Sequence, residues 1–237
     1  MSSLTTLLPS SAATLLFISG AVAFAAPATP EAQAPARVRG TVTAIAADSI
    51  TVVEREGRKF TLKTGPDTVY AVVVPSSLDA IKVNDFVGTA VKAGEGSMVA
   101  VELAIIPENM RAGRISFYKW DPLPDPTASR ASDATTTNMV NGLVSNVTPS
   151  ALKAAATAGE GRVVSADNAS TAGRTLTVTY DGGSKTFSIL VPPNAPIVRY
   201  VLSDEAAAVI GSSVMVKTDP GNRAGLITIG KGVVPPM

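Results

Sequence analysis

Ser150 and Lys153 stand in the S-x-x-K spacing of acyl-transferring serine enzymes, and Lys63-Thr64-Gly65 matches the K-T-G triplet that accompanies it there. The order along the chain is the reverse of that in such enzymes, the third signature S-D-N is missing, and the helical domain that should carry the serine is absent, so these short matches are read as chance. No G-x-S-x-G, phosphate-binding loop or EF-hand spacing occurs. Carboxylates at Glu54, Glu56, Asp79, Asp85, Glu95 and Glu102 are scattered. Glu54 and Glu56 would share one face of a strand, a geometry that could hold a hard cation, but a solvated strand end beside a turn is the preferred reading. Asp85 falls at a turn, where a carboxylate caps nearby backbone amides.

With no histidine and no cysteine, the chain has no imidazole proton relay, no thiolate nucleophile, no disulfide and no Cys/His zinc site. A net charge of +1 is far from the cationic surplus that phosphate neutralisation requires, so nucleic acid is not expected as a partner. No catalytic residue, cofactor or metal ligand is assigned.

The concentration of aromatics in Ile115–Pro122 is the strongest candidate for recognition: Phe117, Tyr118 and the sole tryptophan, Trp120, lie among Arg111, Arg114 and Lys119. Such residues anchor interfaces because they bury large areas and stack with cations. Phe117, Tyr118, Trp120 and Arg114 are therefore the candidate partner-binding set. The plainer alternative, and the preferred one, is that the segment packs between the chain's own two domains and fixes their angle. Arg37 and Arg39 would point to one side of the first strand; they could meet an anion, but keeping an edge strand soluble is the reading taken.

The elements that position these residues are β. Mean hydropathy is +0.27, aromatics make up 5% of the chain, and Val, Ala and Thr abound, which suits pleated sheets built from small β-branched side chains. Short apolar runs at Val38–Ile45, Ile50–Val53, Phe60–Leu62, Asp67–Val73, Phe86–Val91 and Met98–Ile106 are joined by turn residues, with one helical turn capped by Ser76 over Leu78–Ile81. An offset of 127 residues then sets Phe60 on Phe187, Pro66 on Pro193, Val87 on Val214 and Gly94 on Gly221, with strand, turn and helical-turn signals in the same order.

The expected organisation is a signal peptide over 1–25, an Ala/Pro-rich tether over 26–36, a β-barrel domain over 37–107, a linker over 108–138, and a related domain over 139–231 carrying an insertion at 147–172, taken as a loop with a floppy-edged strand as the alternative, then a tail at 232–237. The signal peptide rests on the apolar residues Leu15–Ile18 and Ala21–Phe24 and the Ala23-Phe24-Ala25 cleavage pattern, although the first basic residue is Arg37; a buried helix or an uncleaved anchor is the alternative. Gly161–Asp167 is an alternative first strand of the second domain.

Gly40–Ile45, Ile50-Thr51-Val52 and Leu78–Gly88 resemble bacterial exported DUF5666-like domains, with their G-x-V/I start, I-T-V strand and L-x-x-I-K-x-G-D-x-V segment; Asn84 stands where that pattern prefers glycine. In its duplication, its Met110-Arg111-Ala112-Gly113 and Trp120-Asp121 linker and its Gly232–Met237 end, the chain is also similar to proteobacterial proteins often labelled metal ABC transporter permeases, a label that no series of membrane spans here supports. The resemblance implies two tandem OB-like barrels in the cell envelope, periplasmic or secreted, and supplies no catalytic residues. The expected function is an exported, non-catalytic binding or assembly module whose partner is an envelope protein or polymer, without stable membrane insertion once the signal is cleaved. A structural spacer is the alternative, and a carboxylate-dependent hydrolase a more remote one.

Overall fold

The computed structural model describes residues 33–94, 97–111, 116–128, 130, 133–153, 172–180 and 183–235. The signal peptide, most of the tether, Arg114 and Gly161–Asp167 lie outside these residues. The first half supplies β1 (Arg37–Ala46), β2 (Ser49–Glu54), β3 (Lys59–Lys63), β4 (Val69–Pro75), a 3-10 turn at Leu78–Ala80, β5 (Phe86–Ala93) and β6 (Met98–Ile106). The connecting segment carries β7 (Ser116–Lys119), β8 (Leu123–Pro124) and β9 (Ala134–Thr135). The second half supplies β10 (Asn138–Lys153), β11 (Ala172–Tyr180), β12 (Lys185–Val191), β13 (Ile197–Ser203), a 3-10 turn at Glu205–Ala207, β14 (Ser213–Asp219) and β15 (Arg223–Gly230). The protein is thus predominantly β, and its strands follow the two-residue period of their sequence: in β3, Phe60 and Leu62 are buried between exposed Lys59 and Lys63.

The two halves have the same element order, but neither half closes on itself. In one closed ring the strand order is β1, β2, β3, β15, β14, with β14 returning to β1 and β15 meeting β3 in parallel at Arg223 and Lys63. In the other the order is β10, β11, β12, β6, β5, closed where β5 pairs β10 and β6 runs parallel to β12. Each ring therefore takes three strands from one half and two from the other. The sequence suggests two tandem domains each built from its own strands; the pairing instead exchanges the last two strands of each half. The physical reason is equivalence: Val87 of β5 sits opposite Gly142 as Val214 of β14 sits opposite Gly40, so both ring edges accept strands of the same pattern.

Two apolar cores fill the rings, one around Val38, Val52, Leu62, Val216 and Ile227, the other around Val87, Leu103, Val140, Leu176 and Ile189. Between the rings, β4 and β13 pair antiparallel and form the bridge, with β4 parallel to β15 and β13 parallel to β6. A third cluster, including Ala71, Val73, Met139, Val198, Tyr200 and Leu226, packs at this junction.

Two further expectations change. Residues 147–153 are not the loop but the strand of the two alternatives, the end of β10, laddered to β11 through Val147 and Leu176, Thr148 and Thr175, and Lys153 and Ala172; the described part of the insertion extends a hairpin because its Val and Thr residues suit a strand. β1 is not an edge strand, being paired with both β2 and β14.

Candidate functional site

The aromatic segment is strand, and its place follows from a gap in the pairing. β10 uses one edge for β5, but its other edge meets β11 only from Leu143 onward, and β7 fills the vacancy by pairing Ser116, Phe117, Tyr118 and Lys119 with Asn141, Val140, Met139 and Asn138. Neighbouring side chains on a strand face opposite ways, so the aromatics part company. Phe117 turns outward to Phe187, 5.0 Å between centroids, and Phe187 stacks on Tyr180 at 4.6 Å. Tyr118 meets Trp120 edge-on at 5.7 Å, and both line a cavity between the rings. Of the candidate set, Phe117 thus faces away from Tyr118 and Trp120, and Arg114 lies outside the described residues.

Beyond β7 the segment is fastened to both rings. Asp121 accepts two hydrogen bonds from Arg37, from Nε at 2.9 Å and Nη2 at 2.6 Å, and a third from Arg39 Nη1 at 2.7 Å. The Arg37 guanidinium also lies over the Trp120 ring, 4.1 Å from its centroid. Hydrogen bonds from Arg37, joined by Arg39 and opposed by partial burial, lower the Asp121 carboxyl to about 2. Thr137 accepts a bond from the Trp120 amide at its carbonyl and donates its hydroxyl to the Asp121 carbonyl at 2.6 Å. Farther on, Asp125 pairs with Lys92 of β5 and accepts bonds from the amide and hydroxyl of Thr127 at 2.9 and 2.8 Å. Burial raises the Asp125 pKa, but these bonds outweigh it and hold the group below its ordinary value. The described part of the segment is thus bonded to both rings, to β1 through Asp121 and to β5 and β10 through Asp125 and β7.

The cavity that it walls has a volume of about 350 Å³. Its floor is apolar: Met139 from β10, Met215 from β14, Tyr200 from β13 and Leu226 from β15 meet Tyr118 and Trp120 there. The charged residues in its described lining are Arg37 and Lys217. This is the size and chemistry of a small-molecule site, mostly apolar with a few polar groups. Sequence reasoning finds Tyr118 and Trp120 but not Met139, Met215 or Leu226, because each looks like an ordinary core residue until the strand exchange brings them together. The signal that could have found Arg37 is its spacing with Arg39, whose shared face meets an anion after all, the chain's own Asp121.

The remaining motifs do not assemble. Ser150 and Lys153 are in an extended strand of one ring, where the helical turn that S-x-x-K requires does not exist, and Lys63-Thr64-Gly65 follows β3 in the other ring. Glu56 is in the turn after β2, while Glu54 is buried and pairs with Arg58 at 2.7 Å, so the two acids share no strand face. Asp85 accepts a bond from the Lys82 amide at 2.9 Å, the turn-capping contact of its sequence position. Among the described residues no group of three or more metal-ligating side chains converges, and no helix is long and apolar enough to cross a membrane. Compared with protein-family models, curated proteins and solved structures, the chain finds no significant match.

Proposed function

We propose that the protein is an exported, non-catalytic binding module of the bacterial cell envelope that holds a small, largely apolar ligand at the junction of its two rings. The observation that carries this reading is the cavity of about 350 Å³, within the range of ligand sites and walled by the chain's only tryptophan. Export rests on the Leu15–Phe24 apolar segment and its Ala23-Phe24-Ala25 pattern. The resemblance to DUF5666-like domains agrees with an OB-like description of each ring: numbering the ring strands as they occur within a repeat, leaving out the bridging strand, gives the order 1-2-3-5-4-1, with the fourth and fifth strands exchanged between repeats. Fold analogy names no ligand, since such barrels host unrelated functions.

A structural spacer is the second reading, favoured by the Asp121 clamp, which would stiffen the junction whether or not anything occupies the cavity. The two are separated by titrating the protein with an apolar probe, 1-decanol, while following Trp120 emission. The binding reading expects a saturable change that the cavity-filling variant Leu226→Phe/Met215→Phe removes without loss of cooperative unfolding. An unchanged emission, or a change that the variant retains, would leave the spacer.

A further inference from the structure

We infer that the cavity takes a single-chain amphiphile with an anionic headgroup, the headgroup held between Arg37 and Lys217 and the alkyl chain lying toward Met139; this rests on the binding reading above. Three observations point to it. First, the charged groups of the described lining are both cations, with no carboxylate among the lining residues. Second, Arg37 and Lys217 sit directly opposite one another in the β1–β14 ladder, and the carboxylate that pairs with Arg37, Asp121, is shared with Arg39, so among these four groups cations outnumber the acid and a second anion would offset the surplus. Asp121 occupies Arg37 through Nε and Nη2, which leaves Nη1 outside that clamp, and Lys217, exposed on β14, makes no ion pair among the described residues.

The third observation fixes the direction of the ligand. The repeat places Met139 and Ala90, opposed in the β10–β5 ladder, where the other ring has Arg37 and Lys217. In the lining the two ladders thus differ in chemistry: Arg37 and Lys217 bring two cations on the β1–β14 side, whereas the β10–β5 side presents Met139 with the uncharged Gly88 and Asn141. A symmetric apolar ligand would leave the cations unused. A purely ionic one would leave Met139, Met215 and Leu226 without a partner. A chain with one charged end matches both sides.

The test is a titration of Trp120 emission with laurate, and in parallel with the neutral 1-dodecanol and the cationic dodecyltrimethylammonium. Laurate is expected to bind about tenfold more tightly than dodecanol, the yield of one charge-assisted contact, and dodecyltrimethylammonium more weakly than either. Lys217→Gln should bring laurate down to the level of dodecanol, Lys217→Glu should reverse the preference toward the cation, and Lys217→Arg should keep it. Added salt should narrow the gap between laurate and dodecanol. Equal binding of laurate and dodecanol, or a preference that Lys217→Gln leaves intact, would overturn the headgroup assignment while the apolar-site reading stands. Failure of all three probes to perturb Trp120 in the folded protein would overturn both.

Discussion

Val73 and Tyr200 face each other across β4 and β13, and they are the same position of the two repeats, 127 residues apart. A pair that maps onto itself when the halves are interchanged lies on the local two-fold axis that relates them. The neighbouring register obeys the same rule, since Ala71 opposite Leu202 becomes Val198 opposite Pro75. The axis therefore passes through the bridge between the rings. The cavity lies beside it, with Tyr200 in the lining, and departs from the symmetry both in its side chains and in the wall supplied by Ser116, Tyr118 and Trp120, which have no counterpart 127 residues on.

The exchange makes each half incomplete. Residues 33–111 alone would expose the edges of β1 and β3 that β14 and β15 cover, and the second half those of β10 and β12 that β5 and β6 cover. Expressed separately, residues 33–111 and 116–237 are expected to lack a cooperative unfolding transition as monomers, and on mixing to recover it as a one-to-one complex. Circular dichroism during chemical denaturation, with the mass of the complex, checks this. A first half that unfolds cooperatively as a monomer would mean that β5 and β6 close their own ring, and that the exchange is dispensable.

Much of this was legible in the residues. The strand alternation of Phe60 and Leu62, the helical turn at Leu78–Ala80 and the 127-residue offset depend on local pattern, which sequence carries directly, although the turn's N-cap is Ser77 rather than the expected Ser76 and its side chain makes no capping bond. The exchange does not, because β5 and β14 offer their partners nearly the same face: Phe86-Val87 and Ser213-Val214 enter their rings at matching positions, and which one pairs β1 is decided by where the bridge of β4 and β13 carries the chain. The clamp was hidden for a related reason. Arg37 and Asp121 are separated by 84 residues, and nothing local to either marks the other.

Gly40 and Gly142 occupy matching places, each just before an irregularity in its ladder, between Val42 and Ala44 in β1 and between Val144 and Asn146 in β10. A Cβ at Gly40 would lie 2.1 Å from the Val53 carbonyl oxygen, and one at Gly142 2.4 Å from that of Thr179. Backbone atoms cannot step aside as a side-chain tip can. Gly40→Ala and Gly142→Ala should each destabilise the fold by about 2 kcal/mol in urea unfolding, the cost of forced overpacking. A loss within experimental error at either site would show that the strands separate there freely.

Asn84 and Gly211 also correspond, and both have left-handed backbone, with φ of 73° and 91°. Each turn is tied to the partner half: the Asn84 amide donates to the Val144 carbonyl and the Gly211 amide to the Val42 carbonyl, both at 2.8 Å. Asparagine tolerates this region better than other side chains but less well than glycine. Asn84→Gly should therefore change stability by only a few tenths of a kcal/mol, whereas Gly211→Val, with a β-branched side chain at positive φ, should cost about 2 kcal/mol. A destabilising Asn84→Gly would point to a role for the asparagine side chain that its backbone does not require.

Acid should release the aromatic segment. The Asp121 carboxyl falls from an ordinary 3.8 to about 2 in the folded protein, chiefly through its bonds from Arg37, so it stabilises the fold above the ordinary value and loses that contribution as the pH drops toward 2. Because Asp121 and both arginines are partly exposed, solvent screening reduces the contribution to about 1 kcal/mol. Unfolding at pH 6, 4 and 2 should show wild type losing stability across this window, with Trp120 emission shifting to the red as its Arg37 contact loosens. Asp121→Asn should begin about 1 kcal/mol lower at pH 6 and decline less steeply. Its remaining slope belongs in part to Asp125, which Lys92 and Thr127 likewise hold ionised, and Asp121→Asn/Asp125→Asn should flatten it further. An acid slope identical in Asp121→Asn and wild type would place the pH dependence elsewhere and deny Asp121 its part in holding the rings together.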